Sequence, residues 1–206
     1  MGGLGGVAQA AVVSSWTLAN DASNSVDGNT GTAQDVVFTG SEAVFNGTTS
    51  RITVPYNPNL SRGTADVTAS VQVNTTYMPG TGSLDFDLIR SSPTGKMYKV
   101  ELFPHGGKAQ AQCIFHGSLN GTATRITIKG TRKMNDGNWH TITCQKTATK
   151  VTLTTDNIVE NSQTIQIGTI HLGKGKMFAI GYKPNTTAGG ADHYIGAMKN
   201  LSVAIG

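Results

Sequence analysis

The sequence predicts an all-β fold, a two-sheet antiparallel sandwich, from three observations. Apolar and polar residues alternate with a period of two along most of the chain, turn-forming clusters separate these runs at about 8–12-residue spacing, and no segment carries the apolar spacing of an amphipathic helix. The 206 residues suit one such domain, since sandwiches commonly run undivided to about 200–250 residues, and they bury a core without needing a metal or a dense disulfide network. A hydrophobic fraction of 37% against 14% charged residues excludes a disordered chain.

In chain order, strands are expected at 12–18, 34–38, 42–46 and 50–54. Val67, Ala69, Val71 and Val73 then alternate with polar residues, as do Leu84, Phe86 and Leu88 with Asp85 and Asp87, and Tyr98, Val100 and Leu102 with Lys99 and Glu101. A strand at 110–116 follows, then Ile126 and Ile128 between Arg125, Thr127 and Lys129, a strand at 139–146, and Val151 with Leu153. The last strands are expected at 163–167, 177–182 and 194–205. Alternation of this kind belongs to antiparallel strands with one buried and one wet face. His105-Gly106-Gly107, Asn120-Gly121 and Asn135-Asp136-Gly137-Asn138 are among the turns, and Asn57–Arg62 is expected to form a single helical turn. The chain divides into a Gly/Ala-rich N-terminal arm, 1–13, and one domain, 14–206.

The net charge is +4, but Lys129, Arg132 and Lys133 form the only tight basic group, so a nucleic-acid partner is not expected. No stretch approaches the ~20 apolar residues of a membrane span, and no membrane insertion is expected. Cys113 and Cys144 are too few for a structural zinc site. They lie in separate strand-like runs and fit one buried disulfide made in an oxidising compartment, or two buried thiols. Met1–Gly6 has neither the charge nor the apolar core of a signal peptide, while Ala8-Gln9-Ala10 is similar to a cleavage site, so a trimmed signal and a start at Met1 both remain open.

Four segments in order resemble the laminin G-like, concanavalin A-like lectin jelly roll, a group related to the pentraxins. Trp16-Thr17-Leu18 with the loop Asn20–Gly31 looks like its opening strand and first loop. Ala43-Val44-Phe45-Asn46-Gly47 with Ser50–Pro55 is similar to its F-x-G-x-x-S-x-I-x-V-P hairpin. Asp136-Gly137-Asn138-Trp139-His140 followed by Val151–Asp156 matches D-G-x-W-H and a strand ending in Asp, and Tyr194–Met198 resembles the closing strand. The resemblance implies a jelly-roll sandwich and a lectin-like binding role. Cys144 is placed like a pentraxin disulfide cysteine, which supports a Cys113–Cys144 bridge. The family often holds calcium on loop oxygens, for which Asp21, Asn24, Asp27 and Asn29 are the candidates, although Lys199 stands where the family often has an Asp. Trp139 is expected on the core side of its strand and His140 on the other.

Little in the sequence suggests catalysis. Some glycosidases of this fold carry E-x-D-x-x-E along one strand; here Asp85 and Asp87, with Glu101 on the next strand, come nearest but lack the flanking Glu residues. A wet strand face with solvated carboxylates is the expectation. The five histidines show no H-E-x-x-H spacing, and no G-x-S-x-G elbow or phosphate loop is present. Asn46, Asn59, Asn74, Asn120, Asn185 and Asn200 lie in N-x-Ser/Thr sequons, which a Thr-rich composition also produces by chance. The expected function is a non-catalytic lectin-like module that recognises a glycan or surface protein outside the cell, with Tyr56, Tyr77, Tyr182 and His193 as candidate ligand contacts. The alternatives are a decoration or tail-associated protein on a virus (phage) particle, touching other virion subunits through the arm, and a glycoside hydrolase or polysaccharide lyase.

Overall fold

A computed structural model describes residues 10–61, 63–80, 84–184 and 192–206. Fifteen strands and one 3-10 turn occupy them: β1 Ala11–Trp16, β2 Thr32–Gln34, β3 Val37–Phe38, β4 Ala43–Asn46, β5 Arg51–Val54, η1 Pro58–Leu60, β6 Val67–Asn74, β7 Phe86–Arg90, β8 Met97–His105, β9 Lys108–Leu119, β10 Thr122–Lys129, β11 His140–Lys146, β12 Lys150–Thr155, β13 Ile158–Thr164, β14 Phe178–Ile180 and β15 Ile195–Ile205. Most of the arm expected at 1–13, with its virion-contact reading, lies outside the described residues; Ala11–Val13 are part of β1.

The strands form the two antiparallel sheets of a jelly-roll sandwich. One sheet runs β13-β12-β11-β6-β15-β4-β3 and the other β10-β9-β8-β7-β14-β5-β2. In the first, β15 has β6 along one edge; its other edge is divided, Ile195–Met198 pairing with β4 and Leu201–Ile205 with β1. Three hairpins close with two-residue turns in which both residues have positive φ: Gly106-Gly107, Asn120-Gly121 and Asp156-Asn157. That geometry matches strand twist and favours Gly and Asn. The third turn starts β13 at Ile158, earlier than the strand expected at 163–167.

Alternation sets the core. Val67, Ala69, Val71 and Val73 from one sheet face Tyr98, Val100 and Leu102 from the other. Trp16 stacks on Phe178 at 5.5 Å between centroids, and Tyr194 meets Phe45 and Phe86 edge-on. Cys113 on β9 and Cys144 on β11 form a disulfide with Cα atoms 5.6 Å apart, tying the two sheets through the core.

That disulfide also overturns the expected orientation of Trp139. Inward-facing Ile142 and Cys144 fix the even-numbered residues of β11 on the core side, so His140 is buried and Trp139 falls on the outer, half-buried face. His140 lies between two carboxylates, with Nδ1 2.8 Å from Asp156 Oδ2 and Nε2 2.9 Å from Asp136 Oδ1. Burial disfavours its charge, but both carboxylates favour it and hold its pKa above the ordinary value. The Asn138 amide and the His140 ring together lower Asp136 to about 2.

Candidate functional site

The outer face of the seven-stranded sheet carries the most unusual chemistry in the molecule. Because Tyr98, Val100 and Leu102 point inward, Lys99, Glu101 and Phe103 of β8 point outward, as do Gln110, Gln112 and His116 of β9 and Arg125 and Lys129 of β10. On β7 a bulge between Asp87 and Ile89 shifts the register. Without it, residues three apart would face opposite ways; with it, Asp87 lies opposite Glu101, Arg90 lies opposite Lys99, and all four share the outer face.

These side chains form one ionic cluster. The Lys99 ammonium lies 3.1 Å from Asp85 Oδ1 and also contacts Asp87 and Glu101. Arg90 Nη1 lies 3.1 Å from Asp87 Oδ2, while Nε donates to the Ser92 carbonyl and Nη2 to the Pro93 carbonyl. Gln112 donates to Glu101. The expected wet face is therefore wrong at its centre, where Asp87 is 0% and Glu101 1% exposed. The physical reason is that the bulge and the long side chains of Arg90, Lys99 and Gln112 close over the carboxylates.

Three carboxylates share two cations here, leaving an excess negative charge in a buried setting. Burial, reinforced by neighbouring carboxylates and opposed by Lys99, pushes Asp85 up to about 6 and Asp87 up to about 7. Burial likewise raises Glu101. Burial works against the Lys99 charge, but the three carboxylates win and hold it above the ordinary lysine value. The cluster as a whole retains a proton near neutral pH. Among the described residues these three are the carboxylates close enough together to share a metal, but the Lys99 ammonium touches all of them.

A groove runs over the cluster. At one end is a cleft of ≈ 280 Å³ between Asp85, Met97, His116, Arg125 and Lys183. It continues past Gln112 to Phe103, His105 and Lys129, and ends in a second depression of ≈ 420 Å³ bounded by Lys108, Gln110 and Thr131. The Lys129 ammonium stands 4.5 Å from the Phe103 ring centroid.

The residues expected to bind ligand lie elsewhere and are not gathered. Tyr182 and His193 are buried with rings 6.0 Å apart, and the Tyr182 hydroxyl lies 2.7 Å from Thr53 Oγ1. Tyr56 packs against the core, and Tyr77 is exposed. In the first loop, Asn24 Oδ1 accepts from the Ser15, Val26 and Asp27 amides. Asp27 accepts from Asn29 N, Ser14 Oγ and Asn57 Nδ2, while Asp21 accepts from Ser23 and Asn29 donates to the Pro55 carbonyl. A cation there competes with these bonds. The groove itself escaped sequence reasoning because its residues come from four strands. The available signal was the charged outer parity of β7 and β8, interrupted after Asp87 by the apolar pair Leu88-Ile89.

Residues 108–204 match the family model of the laminin G domain. Among solved structures, the fold is similar to domain 4 of AbnA, a GH43 extracellular arabinanase from Geobacillus stearothermophilus, in complex with arabinotriose. The TM-score is 0.62 at 18% identity, covering 96% of this chain and 94% of that one. It is also similar to the receptor binding domain of botulinum neurotoxin D (TM-score 0.64, 13% identity, 94% of this chain and 49% of that one). A third similar structure is from botulinum neurotoxin type C, whose cell entry depends on interaction with two ganglioside molecules (TM-score 0.63, 9% identity, 95% and 47%). This chain spans about half the length of the toxin structures. At such identities the likeness is one of fold. No curated protein matches the sequence.

Proposed function

We propose that this chain is a non-catalytic carbohydrate-binding module whose ligand lies in the groove over β7–β10. The observation that carries the reading is a run of three adjoining depressions with shared lining residues, where the exposed imidazole of His105 and the exposed cations Lys108, Arg125 and Lys129 surround the buried Gln110 and Gln112. Sugars offer C–H faces to rings and hydroxyls to convergent polar groups, and sites for them combine the two. The likeness to an arabinotriose-bound domain supports the same reading. The inter-sheet disulfide supports a place outside the cell, because such bonds persist in oxidising compartments.

The test is a glycan array on the purified protein, run with calcium and with a chelator, beside His105→Ala and Arg125→Ala, both exposed in the groove. Binding weakened by these changes supports the groove. Binding lost only in chelator moves the site to the Asp21–Asn29 loop, and no binding in either buffer rejects the module.

One observation favours a hydrolase, namely an Asp85 carboxyl pushed up to about 6 beside an open cleft. Against it, a glycosidase places its two carboxyls about 5–9 Å apart with the sugar between them. Here all three are drawn within 4.8 Å of one another around a single ammonium. Polysaccharide cleavage lost on Asp85→Asn would restore the enzyme; no cleavage by the unmodified protein closes that route.

A further inference from the structure

The ionic cluster beneath the groove holds the parts of a bond-forming reaction as well as those of an ion pair. Asp87 lies directly opposite Glu101, and Lys99 stands two residues before Glu101 on the same face, from where it reaches diagonally to Asp87. Among the described residues, the buried oxygens Asp87 Oδ1 and Glu101 Oε2 meet the Lys99 nitrogen and no hydrogen-bond partner besides. The other Asp87 oxygen, Oδ2, is 3.1 Å from Arg90 Nη1, and Arg90 is itself held by the Ser92 and Pro93 carbonyls. Burial pushes Asp87 up to about 7, so near neutral pH much of it is the carboxylic acid rather than the unreactive carboxylate.

We propose that Lys99 and Asp87 join in an intramolecular isopeptide bond, which the protein forms on itself with Glu101 carrying the protons. The ion cluster described above is the reactant, present in the newly folded chain. Glu101 takes a proton from the Lys99 ammonium, a transfer between two buried partners that moves no net charge out of the cluster and leaves a neutral amine. The amine attacks Cγ of the Asp87 carboxylic acid, and the oxygen that gains negative charge is the one Arg90 holds. The Cγ–OH bond then breaks. Glu101 returns its proton to the departing hydroxyl, which leaves as water, and takes the surplus proton from the new amide nitrogen. The step needs no oxidant and no cofactor, since held contact in a water-poor setting replaces activation of the acid. Asp85 lies 3.1 Å from the same ammonium, but its side chain is the most exposed of the three carboxylates, and the Arg90 guanidinium is on Asp87. The bond ties β7 to β8 beneath the groove, whatever the groove binds, and leaves its exposed residues unaltered.

The test is the intact mass of the purified protein, unfolded with its disulfide reduced, followed by trypsin digestion and peptide sequencing by mass spectrometry. The expected mass is one water below that of the sequence. The expected product is fragment 63–90 joined to fragment 97–108 through Asp87 and Lys99, with the chain uncleaved after Lys99. Asp87→Asn is expected to give the same junction with loss of one ammonia in place of water. Lys99→Arg keeps the cation and Glu101→Gln keeps a hydrogen-bonding side chain, and both are expected to show the full mass. A full mass for the unmodified protein, fresh and after prolonged incubation at neutral pH, overturns the proposal. So does a missing water that maps to a cyclised Asp27-Gly28 or Asp136-Gly137. A junction through Asp85 or Glu101 overturns the choice of Asp87, and a junction that persists in Glu101→Gln overturns the role given to Glu101.

Discussion

The Lys199 ammonium sits 4.0 Å from the centroid of the Trp139 ring, on the outer face of the sheet that holds β6 and β15. The chain has only two tryptophans, and Trp16 is fully buried, so the two report on separate regions. Trp139→Phe is expected to leave a blue-shifted emission from Trp16 alone. Lys199→Ala is expected to shift the remaining Trp139 emission to the red and to cost about 0.5–1 kcal/mol, the worth of an exposed cation–π pair. Unchanged emission in Lys199→Ala would place the ring elsewhere.

Lys99 is expected to be among the most sensitive positions in the chain. Lys99→Met removes the ammonium from among three carboxylates, two of them almost fully buried, and breaking a buried ion pair from one side costs about 3–5 kcal/mol. Urea unfolding measures this. Adding Glu101→Gln to Lys99→Met, which removes one orphaned charge, is expected to recover part of the loss, and a double variant no better than the single contradicts the charge argument.

The disulfide closes a loop of 31 residues and is expected to contribute roughly 3–4 kcal/mol by restricting the unfolded chain. Cys113→Ala with Cys144→Ala is expected to lower the urea midpoint accordingly, with the groove over β7–β10 retained in whatever fraction stays folded. A double variant as stable as the parent would mean the bridge contributes nothing.

Stability is expected to peak in mildly acid solution. Asp85 and Asp87 have raised pKa values, so the folded state holds protons the unfolded chain has released; their stabilising contribution is whole below the ordinary 3.8 and is lost as the pH rises through about 6 and 7. His140, also raised, contributes fully below its ordinary 6.5 and loses that contribution as the pH climbs through its higher folded value. Asp136 and Asp156 are lowered and act in the opposite sense, contributing above 3.8 and failing in acid, Asp136 as the pH falls through about 2 and Asp156 below its ordinary value. The melting temperature is therefore expected to be highest near pH 4 and to fall as the pH rises through 6 and 7, and Asp85→Asn is expected to flatten that decline. A steady rise from pH 4 to 8 would contradict the assignment.

The strands were legible because alternation is a local signal: β6 and β8 each show on a single stretch of sequence which residues turn inward. The Trp139 orientation was not, because parity on β11 is set by Cys144 reaching a partner 31 residues away. The groove was legible only in fragments. Asp85, Asp87 and Glu101 stood out as a group, but their burial depends on the bulge after Asp87 and on Arg90, Lys99 and Gln112 folding over them, relations that no one strand contains. The tyrosines were chosen by residue type, which does not report burial: Tyr56 packs against the core, Tyr182 is buried and Tyr77 is exposed.

The placement of β15 bears on how the molecule is made. The ribbon β8-β9-β10 joins neighbours through two-residue turns, so the groove wall can assemble as soon as its 33 residues, 97–129, have emerged, from contacts close in sequence. The opposite sheet must wait. Its middle is filled by residues 195–205, which give β1 its partner and cover one edge each of β4 and β6, whose other edges pair with β3 and β11. During synthesis those three strands carry unpaired edges beside exposed apolar side chains until nearly every residue described here has been added, and that interval is when a growing chain most needs shelter from its neighbours.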